Sequence, residues 1–221
     1  MADIDKRTLS AIHNNWDWYQ AEFTTWGITY QRTTNAWYTF DAVPPFHSNL
    51  LWLGQAFPEQ LLAQLREKKR GQRWSVNDTL ALHDFTDFGL EVLFEAQWYF
   101  REVSQANQVS VTKVDSDEAF SRWIDAWGES NDVFHRDLWQ QANVGFLSAG
   151  DGGIAYNRSA DRIGVSNFWG HESAIQDCIQ HLAAYALPLV GYERSETAHL
   201  LVNAGFQATG PLRVWVSKES K

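Results

Sequence analysis

The sequence lacks residues and segments that several large classes of protein require. It has a single cysteine, Cys178, so no internal disulfide can form and no second thiolate is present for a metal site. No stretch is long and apolar enough to cross a bilayer, and the polar start lacks the apolar region of a signal peptide. We therefore expect a cytoplasmic protein with no membrane partner.

Positive charge is scarce as well. The chain has 18 Lys and Arg against 27 Asp and Glu, a formal net charge of -9. Nucleic-acid backbones and anionic membranes attract clustered basic residues. The one dense basic run, Lys68-Lys69-Arg70, lies at the predicted end of a helix, where it complements the helix dipole. We therefore predict no nucleic-acid partner.

Several catalytic motifs are absent too. The sequence has no Gly-x-Ser-x-Gly elbow, no Walker loop and no Gly-x-Gly-x-x-Gly after a strand, which removes three common kinds of enzyme. Its 7 histidines show no spacing of the His-Glu-x-x-His type. We therefore predict no metal.

Tryptophan, in contrast, is abundant, with 12 residues. Exposed tryptophans in a row form the platforms of some binding modules, and the N-terminal candidates for such a surface are Trp16, Trp18, Trp26 and Trp37. Most of the tryptophans lie in segments with helical or alternating apolar patterns, which favours a place in the core. A tryptophan-rich binding module stays as one functional alternative.

The two halves of the chain show the same order of predicted elements. An offset of 116 residues aligns Gly54 with Gly170 and Gly89 with Gly205. In each half a strand leads to the first glycine, a helix, a strand and a helical segment lead to the second, and a last strand follows. In the first half the helix lies between Pro58 and Gly71, and the last strand covers 92–100. The pattern predicts two related lobes, 1–106 and 107–221, with the boundary near 105–108.

The second half carries further elements before this unit. A strand at 109–114 precedes a helix that begins after a cap at 115–117. A hairpin follows at 144–156, because Asp151-Gly152 stands between alternating apolar runs. The remaining predicted strands are at 163–170, 187–192 and 212–216, with helices between them.

This order resembles the GNAT superfamily of acyl-CoA N-acyltransferases over about residues 107–217. The most telling stretch is the helix that closes at Asn203-Ala204-Gly205-Phe206, which is similar to the Gly-Phe pair at the same helix end in that family. The first half looks like a second, truncated copy, as in tandem GNAT proteins. The resemblance implies an α/β (α+β) fold in which helices flank a mixed, mostly antiparallel sheet.

The resemblance also implies a place for acetyl-CoA. In this family the fourth strand diverges from the fifth, and the pantetheine arm lies in the gap. Backbone amides at the start of the following helix bind the pyrophosphate, because the N–H groups and the dipole of a helix N-terminus favour anions. In this chain the implied cofactor site consists of Val165, Ser166, Asn167, Phe168, Trp169, Gly170, His171, Glu172 and Ser173.

The predicted phosphate loop departs from the family pattern. It lacks the initial Arg or Gln and the glycines two apart, so only Gly170 matches in kind. Trp169 is bulky where the backbone approaches a phosphate. Glu172 places a negative charge at the helix start, where it satisfies the dipole as an anion does. Two interpretations stay open: the loop retains a coenzyme A site, or it has lost that site.

The candidate catalytic residues are Glu193, Tyr192 and His171. The tyrosine with which many family members protonate the leaving thiolate corresponds here to Leu201, so Tyr192 on the neighbouring strand is the alternative acid. Glu193 and His171 are candidate bases for the amine proton, directly or through water. The alternatives are a packed Tyr192, a surface ion pair of Glu193 with Arg194, and a solvated His171.

The sequence thus predicts an N-acetyltransferase that transfers an acyl group from acetyl-CoA directly to a small-molecule or peptide amine. One alternative is a catalytically inactive GNAT-like protein that binds another ligand or partner, and the other is the tryptophan-rich module. The acidic surface favours a cationic amine over an acidic acceptor. The sequence carries no signal for the identity of the acceptor or for the oligomeric state.

Overall fold

The structure is a computed structural model that describes residues 4–129 and 132–218. Within these residues one large sheet forms the centre of the molecule. Its strands are β1 (Gln31–Arg32), β2 (Ala36–Tyr38), β3 (Leu50–Trp52), β4 (Ser75–Asp78), β5 (Leu90–Arg101), β6 (Thr112–Lys113), β7 (Val144–Ala149), β8 (Gly152–Arg158), β9 (Ile163–Gly170), β10 (Leu189–Glu193) and β11 (Gln207–Ser217). The helices are α1 (Lys6–Trp26), α2 (Glu59–Lys68), α3 (Asp117–Trp127), α4 (Glu172–Leu182) and α5 (Ala198–Asn203).

The strands lie in the order β1-β2-β3-β4-β11-β5-β10-β9-β8-β7-β6. Among the described residues, β3 with β4 and β9 with β10 are the parallel pairs, and all other neighbours are antiparallel. Helices pack on both faces of this sheet. The mixed, mostly antiparallel sheet with flanking helices confirms the predicted fold class.

The central strands connect the two halves of the chain. β5, from the first half, pairs with β10 of the second half, and β11 pairs with β4 of the first half. β5 and β11 pair with each other between them. The sheet is therefore continuous across the predicted boundary at 105–108, and the division into two lobes stays a prediction.

The longest helix, α1, packs on the face of the sheet that also carries α3. The carboxylate of Asp5 caps its first turn by accepting from the N–H of Arg7 at 2.8 Å, and Gly27, with a φ of 68°, ends it. Trp16 and Trp18 project from α1 into the core, and Trp37 on β2 is fully buried. The prediction of an exposed row of tryptophans, which the binding-module alternative requires, is therefore wrong, because only Trp26 of its four candidates is exposed.

Most of the predicted elements are confirmed, including the helix after Pro58, the capped helix α3, the hairpin of β7 and β8, and the helices and strands of the second half. One prediction is wrong: the helical segment before Gly89 is a single 3-10 turn at Thr86–Phe88. Of the strand predicted at 109–114, only the two residues of β6 form a strand in the structure. None of the helices in the described part of the chain has the length and apolar character of a bilayer span.

Candidate active site

β9 and β10 separate from each other along their length. Their parallel pairing is confined to residues 163–164 of β9 and 189–190 of β10. Beyond these positions β9 continues to Gly170 along β8, and β10 continues to Glu193 along β5. The gap therefore opens toward the carboxyl ends of both strands, where the sequence predicts the acyl-CoA site.

Two local features shape this gap. Gly191 faces β9 so closely that a Cβ at this position would lie 2.8 Å from the carbonyl oxygen of Val165. Asn167 has a positive φ of 53° and lies in β9 where its pairing with β8 shifts register. A bulge bends the strand that carries it. The bulge thus lies where β9 leaves β10, and the glycine permits the two strands to touch just before they diverge.

The corresponding strands of the first half stay closed. β3 and β4 pair at 50–52 with 76–78, and the N–H of Thr79 donates to the carbonyl of Trp52 at 3.1 Å. The indole of Trp52 covers Gly54, where a Cβ would lie 2.2 Å from the ring. Only the pair β9 and β10 therefore offers an open gap between parallel strands in the described chain.

A cavity of about 930 Å³ occupies the gap and extends over the sheet beneath α1. Phe168, Glu193 and Leu200 line it at the gap, on the side of α4 and α5, and Tyr19 and Trp98 line it beneath α1. Its size is that of a cavity for a substrate-sized ligand. Of the predicted site residues, 165–168, Tyr192 and Glu193 line the cavity, whereas residues 169–173 lie outside its lining.

The carboxyl of Glu193 is partly buried at the end of β10. Burial raises its pKa above the ordinary value of 4.5, and hydrogen bonds from Thr197 and from the N–H of Arg194 partly oppose this rise. The guanidinium of Arg194 lies 4.0 Å from Glu196 and forms no salt bridge with Glu193, although its positive charge also opposes the rise in the pKa of Glu193. A carboxylate with a raised pKa is better matched to accepting a proton near neutral pH.

The phenol of Tyr192 lies on the opposite face of β10, with its ring edge against Trp98 at a centroid distance of 5.4 Å. Burial raises its pKa to about 12, and the nearby carboxyls of Glu193 and Glu22 add to the rise. The phenol is therefore protonated at neutral pH. Its hydroxyl forms no hydrogen bond with any residue of 4–129 or 132–218.

His171 is separated from the other two candidates. It caps α4, where its Nδ1 accepts from the N–H of Ser173 at 3.4 Å and lies 3.0 Å from the hydroxyl of Ser173. The ring is on the surface and outside the cavity lining. Tyr192 and Glu193 thus both line the cavity, from opposite faces of β10, whereas His171 caps the helix.

The predicted phosphate loop is held against the turn of the β7–β8 hairpin. Gly170 has a φ of 78°, and a Cβ there would lie 1.9 Å from the carbonyl oxygen of Asp151. The same oxygen accepts from the N–H of His171 at 3.2 Å. Packing against the hairpin therefore explains this glycine without a phosphate, and one N–H of the loop is already engaged.

The two unusual side chains of the loop also have partners. Trp169 packs edge-on against Trp123 of α3 at 6.1 Å, away from the start of α4. The carboxylate of Glu172 accepts from the side-chain amide of Asn203 at 2.7 Å, which links the start of α4 to the end of α5. The negative charge at the first turn of α4 thus complements the helix dipole.

Sequence reasoning missed a buried acid and histidine next to the cavity. Glu22 of α1 is fully buried, and its Oε2 contacts Nε2 of His47, a residue that lines the cavity. Nδ1 of His47 donates to the carbonyl of Pro45 at 2.9 Å. Burial raises the pKa of Glu22 well above its ordinary value and lowers that of His47 to about 4. The available signal was a glutamate on the apolar stripe of α1, between Tyr19 and Phe23.

The described residues contain no group of three or more His, Cys, Asp or Glu side chains that could hold a metal ion. The polar groups at the gap include the carboxyl of Glu193, the phenol of Tyr192 and the strand edges of β9 and β10 beyond their paired residues. Such groups suit proton transfer and the binding of an extended substrate.

No family model matches the sequence, and no curated protein matches it. Solved structures do match in three dimensions. A GCN5-related N-acetyltransferase from Kribbella flavida has a TM-score of 0.62 at 11% identity, with 95% of this chain and 96% of that chain covered. A protein from Novosphingobium aromaticivorans assigned to the GNAT family of acetyltransferases has a TM-score of 0.61 at 12% identity, with 98% of each chain covered.

A more distant likeness is to the Saccharomyces cerevisiae N-myristoyltransferase in a structure with bound myristoyl-CoA. Its TM-score is 0.52 at 7% identity, with 77% of this chain and 61% of that chain covered. At such identities a likeness establishes the arrangement of the backbone and leaves the chemistry to the site. The chain has the acyl-CoA N-acyltransferase fold, the fold of the GNAT superfamily.

Proposed function

We propose that the protein is an acyl-CoA-dependent N-acyltransferase that transfers an acetyl group from acetyl-CoA to an amine. The observation that carries the proposal is the gap between β9 and β10, through which the cavity reaches both faces of the sheet. A thioester in this gap would meet the edge of β9 beyond Gly164, whose N–H and C=O groups have no partner on β10. An N–H on that edge polarises the thioester carbonyl and stabilises the charge that develops on its oxygen.

The two lining residues with suitable protons complete the chemistry. The carboxylate of Glu193 accepts a proton from the amine, directly or through water, and the amine nitrogen attacks the thioester carbon. The tetrahedral intermediate collapses with cleavage of the carbon–sulfur bond. The phenol of Tyr192 gives its proton to the departing thiolate, and exchange of protons with water then removes the proton from Glu193 and restores the phenol. The products are an N-acetyl amide and free coenzyme A, and no covalent enzyme intermediate forms.

The gap, rather than the phosphate loop, supplies most of the proposed binding. Val165 to Phe168 and Tyr192 line the path of the pantetheine arm, while the start of α4, with His171, Glu172 and Ser173, would face the pyrophosphate. The N–H of His171 is engaged by Asp151, and Glu172 brings a negative charge. These two features favour a second candidate, a GNAT-like protein that binds another ligand in the same cavity without acyl transfer.

Thiol release distinguishes the two candidates. Purified protein is incubated with acetyl-CoA and a panel of primary amines, and free coenzyme A is measured with a thiol reagent. The proposal predicts amine-dependent release that is lost in the Tyr192→Phe variant. Absence of both coenzyme A binding and thiol release, with every amine tested, would favour the inactive candidate. We also propose, as the sequence predicts, that the chain has two related lobes, 1–106 and 107–221, that it is cytoplasmic and that it has no nucleic-acid partner.

A further inference from the structure

Two asparagine side chains meet over Gly164 in the wall of the cavity. A Cβ at Gly164 would lie 1.8 Å from Oδ1 of Asn14 on α1 and 2.5 Å from Oδ1 of Asn157 on β8. Because both oxygens lie beside the same point, they also lie beside each other. Asn14, Asn157 and Gly164 all line the cavity, and each asparagine is 3% exposed. Two carbonyl oxygens therefore converge at one place in the cavity wall.

The nitrogen atoms of the two side chains fix the direction of these oxygens. Nδ2 of Asn157 donates to the backbone carbonyl of Asn14 at 3.0 Å, and Nδ2 of Asn14 donates to the hydroxyl oxygen of Ser159 at 3.0 Å. That hydroxyl gives its own proton to Asp17 at 2.6 Å, so it accepts from Asn14. Either amide, if turned around, would place its oxygen against another acceptor. The two oxygens are thus held toward Gly164.

The two oxygens have no hydrogen-bond donor of their own. Neither accepts a hydrogen bond from any residue of 4–129 or 132–218. Neither is sealed in the protein interior, in contrast to the unpartnered indole nitrogens of Trp16 and Trp37. Most buried side-chain carbonyls accept a hydrogen bond, and one that does not opposes folding. A ligand with N–H groups can supply the missing donors from the cavity.

The pair of oxygens stands at the closed end of the gap between β9 and β10. Gly164 pairs with Val190, at the last paired position before the strands diverge. Val190 and Tyr192 both pack beneath α1, the helix that carries Asn14. The strand geometry places the Cα atoms of Gly164 and Tyr192 about 8 Å apart. A group bound to the two oxygens is therefore next to the proposed reaction centre.

The chemistry of the two oxygens favours a primary amine. A carboxamide oxygen only accepts hydrogen bonds, so both oxygens require donors. A neutral primary amine has two N–H groups on one nitrogen and can donate to both oxygens, which leaves its lone pair free to attack the thioester carbon. A secondary amine has one N–H group, and its second substituent would meet an oxygen. A carboxylate, which only accepts, would be repelled.

We propose that Asn14 and Asn157 form an amine subsite, in which their Oδ1 atoms accept both N–H groups of a primary amine and hold its nitrogen at the closed end of the gap. This inference rests on the proposed function, because the bound amine is the acyl acceptor. The two asparagines position the amine, while Glu193 and Tyr192 transfer the protons of the reaction. The subsite thereby restricts the acceptors to primary amines.

A comparison of acceptors tests the selectivity of the amine subsite. n-Butylamine, or whichever primary amine of the panel gives the fastest thiol release from acetyl-CoA, is compared with its N-methyl derivative. We expect kcat/KM to be at least about tenfold lower for the secondary amine, because one oxygen then loses its donor. Equal values, or a preference for the N-methyl derivative, would overturn the inference.

Two variants of Asn14 separate this role from a structural one. Asn14→Leu has a similar volume and removes both the oxygen and the N–H groups, whereas Asn14→Asp keeps an acceptor oxygen and loses the donor to Ser159. We expect kcat/KM for the primary amine to fall at least about tenfold in Asn14→Leu and to stay within about threefold in Asn14→Asp. Asn107→Leu, at an exposed position, is the control and should match the parent. An equal loss in both variants of Asn14 would assign its role to the N–H groups and overturn the inference.

A binding experiment gives a readout that does not depend on catalysis. In isotope-labelled parent protein, the side-chain amide NMR signals of Asn14 and Asn157 are followed during titration with n-butylammonium. Butyltrimethylammonium, which has the same charge but no N–H group, is the matched control ligand. We expect a saturable shift of both signals with n-butylammonium alone. A shift with both cations, or with neither, would overturn the inference.

Failure of the inference and failure of the proposed function have different signatures. Thiol release that is insensitive to Asn14→Leu and to N-methylation of the amine would refute the amine subsite and keep the acyltransferase. Absence of both coenzyme A binding and thiol release, with every amine tested, would refute the acyltransferase. The titration would then still decide whether the two asparagines bind a primary amine.

Discussion

The carboxyl of Glu22 and the imidazole of His47 form a buried pair between α1 and the segment that precedes β3. His47 directs Nδ1 to the carbonyl of Pro45 and Nε2 to Glu22, and its ring packs against Tyr19 at 4.9 Å. With Nδ1 as the donor to Pro45, Nε2 accepts a hydrogen bond from the protonated carboxyl of Glu22, because burial disfavours the charged form of both groups. The pair is thus neutral and holds one proton.

This pair predicts a pH dependence of stability. In the unfolded chain Glu22 is ionised above its ordinary pKa of 4.5, and His47 is neutral above 6.5. Above about pH 6.5 folding therefore takes up one proton, and the free energy of unfolding falls by about 1.4 kcal/mol per pH unit as the pH rises toward the raised pKa of Glu22. Between about pH 4.5 and 6.5 the unfolded chain carries a proton on His47, which is neutral in the folded state because its pKa is lowered. The proton lost by His47 on folding then equals the proton gained by Glu22, so this pair gives the free energy of unfolding no pH dependence there.

Urea unfolding between about pH 6.5 and 8.5 measures this slope. The Glu22→Gln variant keeps a hydrogen-bond donor to His47 but has no proton to lose, so we expect a shallower slope, by up to about 1.4 kcal/mol per pH unit at pH values below the raised pKa of Glu22. The exposed Glu129→Gln variant is the control and should retain the parental slope. Identical slopes in the parent and in Glu22→Gln would show that the pair carries no proton in the folded state.

Gly191 permits the close contact at which β9 and β10 diverge. In Gly191→Ala the new Cβ would meet the carbonyl oxygen of Val165 at 2.8 Å, so the strands must shift. We expect at least a tenfold weaker affinity for coenzyme A, by calorimetry, and a stability loss of about 1–3 kcal/mol. Gly27→Ala is the control for a general loss of stability, because its C-cap lies away from the gap. It should bind coenzyme A with the parental affinity.

Tyr192→Phe removes the proposed proton donor and keeps the ring against Trp98. We expect kcat to fall by about 10²–10⁴-fold while affinity for acetyl-CoA is preserved, because the hydroxyl acts on the leaving thiolate. Tyr185→Phe, on the surface near Tyr156 and outside the cavity lining, should leave kcat unchanged. A normal kcat in Tyr192→Phe would remove Tyr192 from the mechanism.

Glu193→Gln tests the proposed base through the pH profile of kcat/KM. The raised pKa of Glu193 places the acid limb of the parent above pH 4.5, and activity increases as the carboxyl ionises. The variant should lose most of its activity, and the remainder should lack this limb. Glu67→Gln, at an exposed position of α2, should reproduce the parental profile. A limb that persists in Glu193→Gln would point to a different base.

Local patterns were sufficient for most elements of the second half. The periodic apolar face of α4, the cap at Ser116 and the Asp151-Gly152 turn each depend on residues close in sequence, and all appear in the structure. α1 escaped prediction because Asn14, Asn15 and Glu22 interrupt its apolar stripe. Asn14 and Asn15 line the cavity and Glu22 contacts His47, so the polar groups that the helix places there interrupt its apolar pattern.

The long-range features had no local signal. The pairing of β5 with β10 and of β11 with β4 joins residues about a hundred positions apart, and no pattern within one strand specifies its partner. The sequence correctly placed Gly170 at the end of the strand before α4. Its close contact with the carbonyl of Asp151 depends on the neighbouring hairpin and required the structure.

The most direct test of the account is thermal unfolding of the parent protein with increasing acetyl-CoA or coenzyme A. A ligand that binds only the folded state stabilises it, by about 2.7 kcal/mol at one hundred times its Kd. The account predicts a saturable rise in Tm that is weaker in Gly191→Ala and unchanged in Gly27→Ala. No rise in Tm at millimolar concentrations of either ligand would contradict an acyl-CoA site between β9 and β10.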